Sequence, residues 1–367
     1  IFVVKIKNNM RVCILGSGLS ALTLAKALLN QNIKVDILLS QKKYSINKTR
    51  TLGISKSNFE FFNRNIINIE KIIWKLRKIE ILTENLKDEK ILNFENKRDQ
   101  LFSIIKNYQL YDILNKNLTS KKNQKKIKFI KKLVNINNYD LIINTDYSNY
   151  LTRKFFNKKI TKIYNSFAYT TTITHDDIKN DVATQIFTKR GPLAFLPISN
   201  NNTSIVYSIN NLKNQKNESI SYLINYFNPR YKIKKIEKFE MFELKSLMLR
   251  SYFHNNILAF GDLLHRIHPL AGQGFNMTIR DTQILIEIIR DKISLGLPID
   301  NSVSNQFEKN IKHKNYLFSN GIDLIYELFN FERRYNNTFI SKSVQLFGRN
   351  RSLNKFFTKV ADQGFIF

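Results

Sequence analysis

Two glycine-bearing stretches, far apart in the chain, hold the residue types best suited to bind and tune a ligand. The later one, Gly261 to Asp281, reads GDLLHRIHPLAGQGFNMTIRD. A short apolar strand, Ile257 to Phe260, runs into it, a loop rich in Gly and Pro follows, and a helix begins. Backbone N–H groups at such a helix start collect partial positive charge, and one carboxylate, Asp262, stands at the strand end. That set suits a ligand carrying both hydroxyls and an electron-rich ring edge. The earlier stretch, GSGLSA at Gly16 to Ala21, follows the strand VCIL. Its first Gly permits a tight strand-to-helix turn, the second (past Ser17) lets a pyrophosphate approach the backbone, and small Ala21 lets helix and strand pack closely.

Other candidate chemistry is thinner. His265 and His268 make an HxxH pair, but no further His or Cys lies nearby, so a metal is not expected. His268 is expected to hydrogen-bond within its loop, with a proton role beside the ligand as its functional reading. His175, His254 and His313 read as surface or sheet residues. No Ser-His-Asp set and no Walker-type loop is visible. Cys13, the one cysteine, can form no internal disulfide and reads as an inert buried thiol.

The elements that must position these residues follow from the apolar pattern. Arg11 to Leu15 reads as a strand, the next segment as a helix carrying Leu22, Leu24, Ala25, Leu28 and Leu29, and Lys34 to Leu39 as a second strand: the first unit of a dinucleotide-binding fold. Tyr108 to Leu118 reads as an amphipathic helix, and Ile127 to Leu133 and Leu141 to Asn144 as strands rejoining that sheet. From about Ser166 the texture changes. SFAYTTTITH, ATQIFTK, LAFLPI and SIVYSIN are short segments rich in Thr, Phe, Tyr, Ile and Val, which predicts an antiparallel sheet. From Phe275 to Phe367 the chain reads as helix. The fold class is α/β: a discontinuous Rossmann-like lobe over 10–165 and 255–300, an inserted antiparallel-sheet substrate lobe over 166–254, and a helical C-terminal region over 301–367.

A carboxylate is expected at the end of the second strand, to bond ribose hydroxyls. Asp36 lies too early for that, and the place holds Leu39 or Ser40, with Ser40 or Gln41 as weaker substitutes.

The residues so far resemble the ubiquinone-biosynthesis hydroxylases, a family of FAD-dependent aromatic monooxygenases. The likeness rests on Gly16 to Ala21, on Arg50-Thr-Leu-Gly-Ile-Ser55, and on GPLAFLPI at Gly191 to Ile198, preceded by His175 and by AxQxF at Ala183 to Phe187. It rests most of all on the Gly261 to Asp281 block. Order and spacing match over essentially the full length. The resemblance implies FAD, with Gly16, Gly18 and Ala21 forming the pyrophosphate turn, Arg50 along the phosphate and ribityl region, and Asp262 accepting from a ribityl hydroxyl. Pro269, Gly272, Gln273, Gly274, Phe275 and Asn276 would wrap the isoalloxazine, whose pyrimidine edge becomes anionic on reduction. Phe195 and Pro197 are expected to line a pocket over the flavin. Two positions depart from the family pattern: Tyr147 stands where Gly is usual, and Lys106 where an acid is usual.

The implied activity is hydroxylation of a polyprenylated phenol or quinol in ubiquinone synthesis, with NAD(P)H as electron donor and O₂ adding at flavin C4a as a hydroperoxide. The departures keep two alternatives open: an accessory member supporting a biosynthetic complex, and a flavin hydroxylase acting on another aromatic substrate.

Composition sets the outer bounds. The chain has 367 residues and a formal charge of +30, from 59 Lys plus Arg against 29 Asp plus Glu. The lysines are spread along the chain, with only a modest cluster at Lys121 to Lys132, which points to compositional drift and not to a nucleic-acid partner. A membrane-surface contact is the functional reading of that charge. No long apolar run predicts a membrane span. The opening IFVVKIKNNM is too short for a secretory signal, with Met10 a candidate start. Expected placement is cytoplasmic, peripheral on the inner membrane.

Overall fold

This computed structural model describes residues 10–40, 48–86, 89–96, 100–132, 135–210, 219–335, 338–349, 355, 358–360 and 362. Gln41 and Leu133, both named above, lie outside the described residues.

The chain opens with β1 (Arg11–Leu15), α1 (Leu19–Asn30) and β2 (Lys34–Leu38), the strand-turn-helix-strand unit expected. It continues through β3 (Thr51–Ser55), α2 (Lys56–Asn65), β4 (Ile73–Leu76), β5 (Lys78–Thr83), β6 (Lys90–Glu95) and β7 (Phe102–Lys106). Then come α3 (Asn107–Leu118), β8 (Ile127–Ile130), β9 (Leu141–Asn144) and α4 (Tyr150–Phe155). The long strand β10 (Lys159–His175) leads into β11 (Val182–Thr188), β12 (Gly191–Pro197), β13 (Asn202–Asn210), α5 (Ile220–Tyr226), β14 (Ile233–Ile236) and β15 (Glu240–Leu249). The short strands β16 (Phe253–His254), β17 (Ile257–Ala259) and β18 (His265–Arg266) precede the helices α6 (Gln273–Ser294), α7 (Asn301–Tyr335) and α8 (Phe339–Arg349).

Three sheets result. The first has the order β16-β17-β9-β1-β2-β8, parallel except for the β16–β17 hairpin. Its central strands are apolar because both faces are covered: Val12 to Leu15, Ile37 and Leu141 to Ile143 are wholly buried. β17 returns to this sheet after the inserted lobe, so the lobe is discontinuous, as read from the sequence. The second sheet runs β18-β15-β10-β13-β12-β11-β5-β6, with β14 beside β10. Here the structure departs from the expected boundaries. β5 and β6 come from within 10–165 yet join this sheet, β5 lying parallel to β11 from Lys78↔Val182 to Thr83↔Phe187. The third is a small antiparallel sheet, β3-β7-β4.

The helices of the C-terminal half brace the two large sheets. α6 packs its Ile279, Leu285, Ile286 and Ile289 into the core under the parallel sheet. α7 sets Tyr326 and Phe329 against Phe187, Leu244 and Leu270 of the large sheet and its loop. The ring of Phe329 stacks on Phe187 with centroids 3.7 Å apart.

Candidate functional site

The turn after β1 needs glycine for a reason visible in the backbone. Gly16 has φ +110°, and a Cβ there would come within 2.5 Å of Thr145 Oγ1 at the end of β9. The turn therefore tucks against the neighbouring strand, and α1 starts at Leu19 with its first N–H groups facing outward from the sheet's C-terminal edge. The second loop lands beside it. Gly261 has φ +65°, and a Cβ on it would meet Ser20 Cβ at 2.7 Å. The two glycine stretches thus touch, across 240 residues of sequence.

One cleft of about 1100 Å³ is lined by both. Gly18 and Ala21 of the first loop line it, and so do Arg50, Asp262, Pro269, Gly272, Gln273, Gly274 and Phe275. Its volume lies just above the roughly 300–1,000 Å³ usual for small-molecule sites, large enough for a ligand of dinucleotide size. The far wall is the face of the large sheet, through Ile79, Ile81, Ala194, Leu196 and Val206, with Thr170, Thr184 and Gln185 as polar points.

The residues fit a flavin on three observations. A Cβ added to Gly274 would meet nothing within 4 Å, so the backbone there is open to a ligand approaching closely. Gln273 is 3% exposed, lines the cleft, and its Oε1 has no hydrogen-bond partner. A buried unpaired carbonyl costs about 1–3 kcal/mol, a deficit that a ligand N–H removes. Asp262, at the end of β17 and opposite the first loop, is exposed to the cleft as an acceptor for hydroxyls.

Several expected site residues stand behind the cleft wall instead of on it. Gly16 and Ser17 shape the turn without lining the cavity. Asn276 is wholly buried. Its Oδ1 accepts from Ser55 N and from Asn58 Nδ2, both at 3.0 Å, while its Nδ2 donates to the carbonyls of Gly53 at 3.0 Å and Gly272 at 3.3 Å. It ties the α6 N-terminus to β3 and does not face a ligand. His268 is also corrected. Its ring packs edge-on to Tyr164 (4.9 Å) and stacks on Tyr326 (4.3 Å), outside the cleft, so the proton role beside the cofactor is withdrawn. Phe195 and Pro197 point away from the cleft because side chains alternate along β12. Phe195 packs on Tyr231 on the far side (5.8 Å), and its neighbours Ala194 and Leu196 form the wall.

Asp36 is accounted for by a local network. Its Oδ2 accepts from Arg11 Nη2 at 2.7 Å and from Tyr139 Oη at 2.8 Å. Burial, and then the charge of Asp36, push the Cys13 thiol up to about 12, which makes it unreactive near neutrality. Leu39 is exposed and Ser40 half-buried, with neither on the cleft. At the other departures, Tyr147 lies exposed under Lys159 and Arg266, and Lys106 caps the start of α3 without a side-chain hydrogen bond to it. Among the described residues no group of three His, Cys, Asp or Glu is placed to hold a metal, and no helix is long and apolar enough to cross a membrane.

Sequence reading missed two parts of the site. His265 lines the cleft while its Nε2 lies 2.6 Å from Asp281 Oδ2, with both side chains 2% exposed. Weighing the HxxH only as a metal pair hid this, although Asp281 closes the same sequence block. Lys355, Thr358, Lys359 and Asp362 of the C-terminal region also line the cleft, and no local signal marked them.

Comparison with known proteins accords with this geometry. The family described as "FAD binding domain" matches residues 175–294. The 3-demethoxyubiquinol 3-hydroxylase of Escherichia coli (strain K12) is 29% identical over 153 residues, 40% of this chain and 39% of that protein. The mitochondrial ubiquinone biosynthesis monooxygenase COQ6 of Schizosaccharomyces pombe is 25% identical over 272 residues, 61% of this chain and 57% of that protein. The chain thus spans less than two thirds of the length of these curated relatives. Among solved structures, p-nitrophenol 4-monooxygenase PnpA from Pseudomonas putida DLL-E4 superposes with a TM-score of 0.74 at 13% identity, over 95% of this chain and 98% of that one. Klebsiella pneumoniae HpxO complexed with FAD and uric acid superposes with a TM-score of 0.68 at 11% identity, over 96% of each chain. The fold is that of these monooxygenases, and the resemblance to the ubiquinone-biosynthesis hydroxylases and the expectation of FAD both stand.

Proposed function

We propose, taking that resemblance as premise, that this chain is an FAD-dependent aromatic hydroxylase acting on a polyprenylated phenol or quinol in ubiquinone biosynthesis. The observation that carries the reading is the single cleft shared by Gly18, Asp262 and Gly274, with an apolar sheet face across from them. Bound FAD would supply the redox chemistry, passing electrons from NAD(P)H to O₂ so that one oxygen atom enters the ring and the other leaves as water.

The chain's own residues bind, orient and exclude. The Gly16 turn and the start of α1 take the pyrophosphate on backbone N–H groups. Asp262 accepts from a sugar-chain hydroxyl, and the start of α6, twenty-two residues long, sets its positive end at the ring edge that gains charge. Arg50 adds a cation along the same wall. Ile79, Ile81, Leu196 and Val206 keep water from the reacting ring and accept its apolar body, while Thr170, Thr184 and Gln185 offer hydrogen bonds to ring oxygens. No side chain is required as a nucleophile.

An apolar tail favours a protein that rests on a membrane. The outward face of α7 carries Leu317, Leu324, Leu328, Phe331 and Tyr335, each more than a third exposed, on a chain of net charge +30. We assign the membrane-surface contact to that face.

Expression in strains each lacking one ubiquinone hydroxylase, with the quinone intermediates identified by mass spectrometry, tests the assignment. Rescue of one strain is expected. Soluble protein that rescues none overturns the substrate. Protein that purifies colourless and stays so with added FAD favours an accessory role, for which the missing carboxylate at Leu39 or Ser40 speaks.

A further inference from the structure

We propose that Lys355 and Lys359, two described residues of the C-terminal region, bind the phosphate groups of the nicotinamide electron donor. This rests on the reading of the cleft as a flavin site.

Three observations support it. The described residues of the segment are helical, and Lys355, Thr358, Lys359 and Asp362 all line the cleft. Their spacing of three, four and seven is that of one helix face, in keeping with all four lining the cavity.

Asp362 is also held in place. Asp362 Oδ1 accepts from Ser57 N at 2.9 Å and from Ser57 Oγ at 3.0 Å, and its carbonyl accepts from Ser55 Oγ at 2.8 Å. Ser57 N belongs to the first turn of α2, where N–H groups have no partner inside the helix. α2 has no acidic residue in its own first turn. The chain's far end supplies the carboxylate, 305 residues away, and that charge answers the positive end of the helix. Asp362 is therefore oriented toward α2 and, among the described residues, makes no ion pair with Lys355 or Lys359.

The charge that remains faces the cavity. Lys355 and Lys359 are exposed and make no ion pair among the described residues. Arg50 and Lys56 line the same cleft, and Lys56 adjoins the two serines that hold Asp362. Of the acidic residues on the cleft, Glu243 is engaged by Lys245 at 3.0 Å, Asp262 stands by the first glycine loop, Asp362 is held by Ser57, and Glu95 stands exposed at the end of β6, so the four cations Arg50, Lys56, Lys355 and Lys359 are joined by one further carboxylate. Lys ammonium groups bind phosphate as mobile point charges. The flavin's pyrophosphate already has the Gly16 turn, so the second dinucleotide of the reaction is the occupant that needs these cations.

The test uses the full chain loaded with FAD. Calorimetric titration with NADP⁺ and NAD⁺, which bind without turnover, is compared for wild type, the K355A/K359A double variant, the charge-keeping K355R/K359R double variant and D362A. FAD affinity is followed in parallel by flavin fluorescence. Expected is at least a tenfold loss of NADP⁺ or NAD⁺ affinity in K355A/K359A and in D362A, retention in K355R/K359R, and FAD affinity within twofold throughout. Unchanged nucleotide affinity in K355A/K359A overturns the site. Loss of FAD affinity in proportion assigns the lysines to the flavin phosphates and equally overturns it, and an unaffected D362A overturns the anchoring role. Wild type that takes up no FAD at all would instead sink the flavin reading itself.

Discussion

His265 Nε2 and Asp281 Oδ2 lie 2.6 Å apart in the interior, and Asn315 Nδ2 of α7 donates to the other carboxylate oxygen at 3.1 Å. His265 sits three residues after Asp262, on the loop that carries the proposed hydroxyl acceptor. Asp281 sits two turns into α6. The contact therefore clamps the Asp262 loop to the helix whose start faces the flavin ring, and Asn315 ties both to α7.

Breaking that clamp leaves a buried polar group without its partner. Asp281→Ala and His265→Ala are each expected to lower stability by about 1–3 kcal/mol. A double-mutant cycle by urea denaturation should give a coupling energy well above the few tenths expected for independent sites. Additive losses would deny the pair its role.

Two glycines separate folding from cofactor binding. Gly16→Ala puts a Cβ 2.5 Å from Thr145 Oγ1 at φ +110°, so it should lower the melting temperature with or without FAD. Gly274→Ala meets nothing within 4 Å. It should melt like wild type without the cofactor yet bind FAD at least tenfold more weakly. A Gly274→Ala protein that keeps full FAD affinity would remove this residue from the flavin contact.

Asp262→Ala removes a charged acceptor exposed to the cleft. Hydrogen bonds to charged groups are worth about 1.5–3 kcal/mol, so FAD affinity should fall tenfold to a hundredfold, and the protein should lose its yellow colour on purification. Stoichiometric FAD after gel filtration would contradict the assignment.

Glu80 gives a pH dependence of known sign. Burial raises its pKa, but hydrogen bonds from Lys78 and Lys90 outweigh that and hold it below the usual carboxylate value. Above the unfolded pKa both states are ionised and the stabilisation is fully present. As pH falls, the unfolded chain takes up the proton first, and the contribution is lost through the lower folded pKa. Unfolding free energies of wild type and Glu80→Gln should therefore converge as pH drops from about 6 toward 3. A constant difference across that range would refute the linkage.

Much of this molecule is written in local pattern. The turn at Gly16, the strand that ends at Asp262 and the helix that begins at Gln273 follow from apolar runs and glycine spacing, because a strand-turn-helix unit is specified by residues adjacent in sequence. The family likeness lay in the same blocks. What the pattern could not give is which residues face the cleft. Along β12 a shift of one position exchanges Phe195 for Ala194 and Leu196, and the choice is made by what packs behind, here Tyr231. Position in the loop suggests a ligand contact for Asn276 and a proton role for His268, but β3 and α2 engage the first, and the rings of Tyr164 and Tyr326 pack on the second. β5 and β6 joined the far sheet, and Asp362 came to cap α2, through contacts between segments tens to hundreds of residues apart, which no local propensity encodes. The sequence by itself determined that two glycine loops before helices and a carboxylate exist. Tertiary packing alone decided that they share one cleft, because only burial of the sheets brings Gly261 against Ser20 and sets Lys355 and Lys359 on the same cavity.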